Sequence, residues 1–446
     1  MRSQSAVAPL AVFFIALVVY GAVAGRRLTA QSPDPHFVAQ AAAWLNGRLD
    51  LERWPEGADD PAVVERVLIE DGTTVRGRRL LTRDTFRVAG GGEIAATRIR
   101  ASRGVEYDVA FPPFPAVVFL PLVLVFGPAA NDVLATVILG ALAPALFLTV
   151  LRRLRERGLS TRSTRDERWL TALFAFGTVF FYAAVQGRVW YTAHVIAVDV
   201  SLLYVWAAID AERPLLAGTC LGLAVLTRGQ LLLMCPFFVA EMWRTGRRND
   251  LRRWAAFAAP LVVLGALAAW HNYARFRDPL EFGYHYLAVR QQSDIETYGL
   301  FSLHYLSRNL VAAFLLLPAV SAQAPYVRIS GHGLALWITT PPLILLVACR
   351  PRQAFQFALW ISAGSVAVWS LLYQNTGWIQ FGYRFGLDYV IFLLLILAVD
   401  SRPLTSIARG LIVIAVAINV FGAVTFGRYQ QFYRSDAAAY RALVRD

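Results

Sequence analysis

Apolar residues fill this chain in long stretches broken by short polar bursts. Within a stretch they follow neither the alternation of a strand nor the one-sided stripe of a soluble helix. Helices that are apolar all round are buried on every side, by protein or by lipid. To span a hydrocarbon core a helix needs about 20 such residues at a rise of about 1.5 Å each. Eleven stretches approach this: 7–25, 131–151, 169–187, 190–209, 214–227, 230–243, 253–271, 333–349, 353–373, 385–400 and 404–426. The pattern predicts an all-α polytopic membrane protein of about 11 transmembrane helices.

Two apolar runs are too short to cross. "FPPFPAVVFLPLVLVFG", residues 111–127, offers about 14 residues interrupted by Pro115 and Pro121, roughly 21 Å of helix. It reads as a juxtamembrane or re-entrant segment. "RNLVAAFLLLPAV" reads as a second surface helix once Arg308 is set aside. The organisation that follows has a first helix over 1–25, an outer loop over 26–130, helices 2–7 over 131–271 and a second outer loop over 272–332. Helices 8–11 occupy 333–426, and a tail covers 427–446. Within the first outer loop, Asp71-Gly72 between β-prone runs predicts a hairpin, so residues 58–105 form a small α/β or β insert.

Composition agrees with this reading: 57% of residues are hydrophobic, 16% are charged, and the mean hydropathy is +0.49. The net charge of +13 would suggest nucleic acid in a soluble chain. Here the basic residues, all 43 of them arginine, cluster between apolar stretches. The Arg-dense loop from Leu151, "LRRLRERGLSTRSTRDERW", is therefore expected in the cytoplasm, with residues 26–113 and 272–332 outside. All six histidines then fall on or near the outer side. The first span ends in small residues that could pass for a signal-peptidase site, but its run of about 19 apolar residues favours an uncleaved anchor. Cys220, Cys235 and Cys349 sit in apolar segments and predict neither a disulfide framework nor a metal site.

Candidate chemistry gathers near the outer side. Asp34, in "SPDPHFVAQAAAWLNGRLD", has the setting of a helix cap, with a proline after it and an amphipathic helix to Gly47. A capping carboxylate keeps one oxygen free, so catalysis is compatible with that role. Asp199 lies midway along a span, where an ionisable group costs at least about 2.5 kcal/mol unless paired or hydrated. Arg228 interrupts a long apolar run and Arg384 heads a late span. Either snorkels to lipid headgroups or clamps the phosphate of a lipid-linked substrate. Asp108, before a Pro-Pro pair, reads as a solvated loop carboxylate or a substrate contact. His271, with Asn272 and Arg275, leaves another span, and Tyr383 adjoins Arg384.

These features together resemble the GT-C-fold glycosyltransferases, particularly the protein O-mannosyltransferase and lipid A aminoarabinose transferase group with its uncharacterised bacterial relatives. Asp34 followed by "FVAQAAAWLNGRLDL" is similar to that family's start. "FPPFPAVVFLPLVLVFG" is similar to its juxtamembrane segment, "LAVLTRG" at 223–229 to its turn, and "FGYRFGLDY" at 381–389 to its arginine at the head of a late span. Two departures stand out: Pro35 occupies the place of a second acidic residue, and residues 58–105 have no counterpart. The resemblance implies an inverting transfer of sugar from a polyprenyl-phosphate-linked donor to a hydroxyl of a glycan, lipid or protein acceptor. It would occur at the outer face of a bacterial cytoplasmic membrane, with Asp34 as base. It implies Arg384, Arg228, Asp108, Asp199, His271 and Tyr383 as substrate contacts, and no metal or other cofactor, a divalent ion being disfavoured by Pro35. A polytopic transporter or flippase, and a sensor, are the alternative classes. A transporter would show repeated halves and polar groups at the bilayer midplane.

Overall fold

The computed structural model describes residues 4–441 and 443. Helix α1 (Gln4–Ala24) leaves Val7, Leu10, Phe14, Ile15 and Val18 exposed. A short helix α2 (His36–Leu45) follows, and α3 (Phe114–Phe126) packs on it through Phe37 and Phe119, whose rings stack 6.5 Å apart. Helix α4 (Asp132–Glu156) starts where the Asn131 side chain accepts the Leu134 N–H at 2.9 Å. Helices α5 (Thr164–Phe176), α6 (Phe180–Ala184) and α7 (Val189–Ala208) come next, then α8 (Pro214–Val225), α9 (Cys235–Arg244) and α10 (Leu251–Phe276). Short helices α11 (Gln292–Tyr298), α12 (Leu306–Leu310) and α13 (Leu336–Thr339) lead to α14 (Ala354–Leu371), α15 (Leu387–Val399) and α16 (Ser406–Thr425).

Among the described residues six helices, α1, α4, α7, α10, α14 and α16, are long and apolar enough to cross a membrane. Burial sorts them: 89% of the most apolar stretch of α7 is buried, against 17% for α1 and α10. Helix α7 therefore fills the middle of the bundle beside α15, which is buried almost throughout.

The remaining expected spans differ from single long helices, each for a local reason. Residues 169–187 break after Gly177, where Thr178 turns its hydroxyl back to the Phe174 carbonyl at 2.8 Å. Helices α8 and α9 have 12 and 10 residues, about 18 and 15 Å, and meet through the 3-10 turn Gly229–Met234. Residues 333–349 break at Pro341-Pro342, because a proline lacks an N–H and pushes Thr340 (φ −136°, ψ 70°) out of the helical region. Helix α15 has 13 residues, too few to cross unaided.

The first insert is a five-stranded antiparallel sheet of order β4-β3-β2-β1-β5. Its strands are β1 (Ala62–Ile69), β2 (Thr74–Arg79), β3 (Thr85–Val88), β4 (Glu93–Ala95) and β5 (Ile99–Asp108). The expected hairpin turn lies between β1 and β2, with Gly72 at φ +84° and the Asp71 carboxylate accepting the Thr73 N–H at 2.8 Å. The sheet is tied to the second loop region where Ala288 N–H donates to Pro61 O at 2.8 Å and Leu287 bridges to Ala62. A second, small sheet joins β6 (Ala319–Val320), β7 (Val327–Ser330) and β8 (Tyr433–Arg434), bringing the C-terminal segment to the same end of the bundle.

The connections sort into two ends. Loops 157–163, 209–213, 245–250, 349–353 and 400–405 meet at one end, rich in arginine. The sheet, the second loop region and the starts of α4 and α7 meet at the other.

Candidate functional site

A cavity of about 1150 Å3 opens at the end opposite the arginine-rich loops. Its wall takes Arg26 and Arg27 from the turn after α1, Asp59 and Asp60 from the approach to β1, and Arg188, Trp190 and His194 from the start of α7. Arg228 and Gln230 come from the α8–α9 junction, Glu281 and His285 from the loop after α10, and Arg384 from the entry to α15. Six arginines face it against three carboxylates, so the lining favours an anion. The rim is apolar, with Leu232, Phe301 and Trp369 exposed.

Asp34 stands one residue behind this wall, 2% exposed. The expected capping role is not found: Pro35 is the first flanking residue of α2, and no side chain caps that helix. Instead Asp34 Oδ1 accepts the Asp59 N–H at 2.9 Å, and its carbonyl accepts the Val189 N–H at 3.1 Å. Oδ2 makes no hydrogen bond and lies 3.5 Å from Arg188 Nε, a residue of the cavity wall. Beside it, His36 Nε2–H donates to the Asp59 carbonyl at 2.8 Å, and burial holds the imidazole pKa below its usual value. Asp34 thus fastens the loop ahead of the sheet to the start of α7.

The two arginines expected at the carrier phosphate are placed differently. Arg384 is 4% exposed; its Nη1 donates to the carbonyls of Gly377 and Ile379, its Nε has no partner, and it pairs with no carboxylate among the described residues. Tyr191 and Phe385 flank its guanidinium with ring centroids at 5.6 and 5.3 Å. Arg228 forks onto Asp388 at 2.6 and 2.8 Å. Asp388, fully buried in its side chain, also takes Gln230 Nε2 at 2.9 Å and His194 Nδ1 at 3.1 Å. The charge of Arg228 is therefore spent inside the protein, and that of Arg384 faces the cavity.

The other expected contacts lie apart. Asp108, at the end of β5, is buried and not a solvated loop residue. It sits 3.6 Å from Arg275 in a separate cavity of about 320 Å3, and burial pushes its carboxyl pKa up to about 6. His271 packs edge-on to Trp44 at 5.5 Å with neither ring nitrogen bonded. Asp199 is 7% exposed on α7, lines none of these cavities, and has no hydrogen-bond partner for either oxygen. Tyr383 is buried beneath Arg384 against Phe385, its hydroxyl unpartnered. Among the described residues no three His, Cys, Asp or Glu side chains could together hold a metal ion.

Sequence reasoning missed Asp59, Asp60, Arg188, Trp190, Asp388 and the Glu281–His285 pair. One signal was available: "DDP" at 59–61 places two carboxylates before a proline, a stiff turn in an otherwise undistinguished linker.

No family model matches the chain, and no curated protein matches it. Among solved structures it is similar to the Archaeoglobus fulgidus oligosaccharyltransferase in its apo form. The match is 12% identical with a TM-score of 0.49, covering 96% of this chain and 56% of that one. The chain thus spans little more than half the length of that protein. At that score the likeness carries no chemical inference, and the function must be argued from this chain's own side chains.

Proposed function

We propose that the chain is a glycosyltransferase that moves a sugar from a polyprenyl-phosphate-linked donor to an acceptor hydroxyl inside this cavity. The observation that carries the reading is Arg384: a buried guanidinium that pairs with no carboxylate among the described residues, on the wall of an anion-favouring cavity whose rim is apolar and exposed. A lipid-borne phosphate has the matching parts, a charge for the arginine and a hydrocarbon chain for the rim. The arginine-rich loops at the far end support an outward-facing cavity by the positive-inside rule.

In the reaction the acceptor oxygen attacks the anomeric carbon as the bond to the phosphate oxygen breaks. The electron pair leaves with the phosphate, which needs no proton, and inversion follows from the single displacement. One base suffices, and Asp34 Oδ2, free of hydrogen bonds behind Arg188, is the group assigned to it. Arg384 meets the charge that grows on the departing phosphate. Arg228 acts through Asp388, holding His194 and Gln230 at the cavity floor. A transport path would use deep ionisable groups, yet Asp199 lines no cavity.

Asp34→Asn tests the assignment. The amide oxygen can still accept the Asp59 N–H, so the fold survives, whereas the amide cannot take the acceptor proton. Transfer should slow by about 10² to 10⁴. Transfer at the wild-type rate would remove Asp34 from the reaction.

A further inference from the structure

We infer that Trp190 and Asp60 form the subsite for the transferred sugar ring, and that this sugar carries no acidic group. The inference rests on the glycosyl-transfer reading above and extends it to residues that reading does not use.

Trp190, the second residue of α7, and Asp60 both line the cavity and are half-buried. The indole Nε1–H donates to Asp60 Oδ2 at 2.9 Å, while Oδ1 makes no hydrogen bond among the described residues. The pair is fixed in advance of any ligand. Asp60 has a left-handed backbone, φ +58°, and the next residue, Pro61, accepts the Ala288 N–H at 2.8 Å, so two loops clamp the carboxylate. An aromatic ring beside an unsatisfied carboxylate oxygen suits a carbohydrate. The indole covers the apolar C–H face of the ring, and the carboxylate accepts a hydroxyl in a charge-assisted hydrogen bond.

Position supports the same assignment. Asp60 and Arg384 line the same cavity. Asp60 is also one peptide from Asp59, whose N–H holds Asp34. A displacement needs the sugar between the cation on the departing phosphate and the base on the entering hydroxyl, and Asp60 is the carboxylate placed to touch a ring lying there. A uronic acid would bring another negative charge against Asp59 and Asp60. Arg188, on the same wall, already faces Asp34 Oδ2 at 3.5 Å. Like charges at such a site oppose binding, which selects for neutral or amino sugars.

The test is binding to the full-length protein in detergent, by native mass spectrometry. Three probes are compared: polyprenyl phosphate, polyprenyl-phosphate hexose and polyprenyl-phosphate hexuronate. Wild type should bind the hexose form at least about tenfold more tightly than the bare carrier, a step of about 1.4 kcal/mol, and should show no such gain for the hexuronate. Trp190→Ala and Asp60→Asn should lose most of the hexose gain while binding the bare carrier at least as tightly as wild type. Asparagine tolerates the left-handed backbone, so Asp60→Asn keeps the loop. A hexose gain that persists in both variants, or an equal gain for the hexuronate, would overturn the subsite. If wild type binds the bare carrier without any sugar gain, the subsite fails and the carrier reading stands. If it binds none of the three probes, both fail.

Discussion

The two ends of the helical bundle are both rich in arginine, and they use it in opposite ways. At the loop end several guanidinium groups are held by acceptors of the protein itself. Arg153 and Arg157 share Glu212 at 2.6 Å, Arg244 joins Glu241 at 2.7 Å, Arg253 donates to Ala211 O at 2.6 Å, and Arg162 to Leu397 O at 2.6 Å. These contacts satisfy carbonyls left open at helix ends and tie short loops together. At the cavity end Arg384, Arg26 and Arg27 line an open void, although Arg27 also donates to Phe426 O at 2.6 Å. An unpartnered Nε is common to Arg384, Arg153 and Arg162 and does not separate the ends. The residue type says nothing about role in this lysine-free chain. What separates the ends is whether the charge lines a cavity that a ligand can enter.

The largest effect that could break this contrast is in catalysis. Asp34→Asn should lower single-turnover sugar transfer by about 10² to 10⁴ with folding intact; an equal loss of folded protein would make Asp34 a structural tie like the carboxylates at the loop end.

Arg228 is the exception at the cavity end, a guanidinium already committed to Asp388. Arg228→Ala should cost about 3 to 5 kcal/mol in thermal unfolding, because it strands a buried carboxylate. Adding Asp388→Asn should recover part of that loss. If Arg228→Ala leaves stability unchanged and weakens only donor binding, Arg228 belongs with Arg384.

At the loop end, Arg162→Ala should cost about 1 to 3 kcal/mol by leaving the Leu397 and Arg402 carbonyls unmet, with donor affinity untouched.

A smaller, graded effect comes from pH. Burial raises the Asp60 carboxyl pKa to about 6, with Asp59 and Asp34 adding to the rise and Trp190 and Arg384 opposing it. The carboxylate that accepts a sugar hydroxyl is therefore present above this value and lost as pH falls through it. The hexose-dependent gain in binding should halve near pH 6 in wild type, and should show no such step in Asp60→Asn.

The helices were legible where a long apolar run was carried through, as in α4, α7 and α10. Lengths were overestimated where local chemistry cut a run short, at Thr178 and at Pro341-Pro342. The sheet's turn at Asp71-Gly72 was legible because it is local. Partners distant in the chain were not. Asp34 looked like a cap from its neighbours, but its oxygen takes an N–H 25 residues away. Asp388 sits inside an apolar run in "GLDYVIF" and becomes the centre of a four-donor cluster only when α7, α8 and α15 meet. Asp60 acquires a role only because Trp190, 130 residues on, reaches it.

The affinity of polyprenyl-phosphate hexose for Arg384→Ala, measured beside Arg162→Ala, separates a ligand-facing arginine from a structural one. One charge-assisted contact contributes about 1.5 to 3 kcal/mol, so Arg384→Ala should bind the donor tenfold or more weakly, while Arg162→Ala binds it as wild type does. Equal affinity in the two variants would contradict the account, because the cavity arginine would then be as structural as those at the other end.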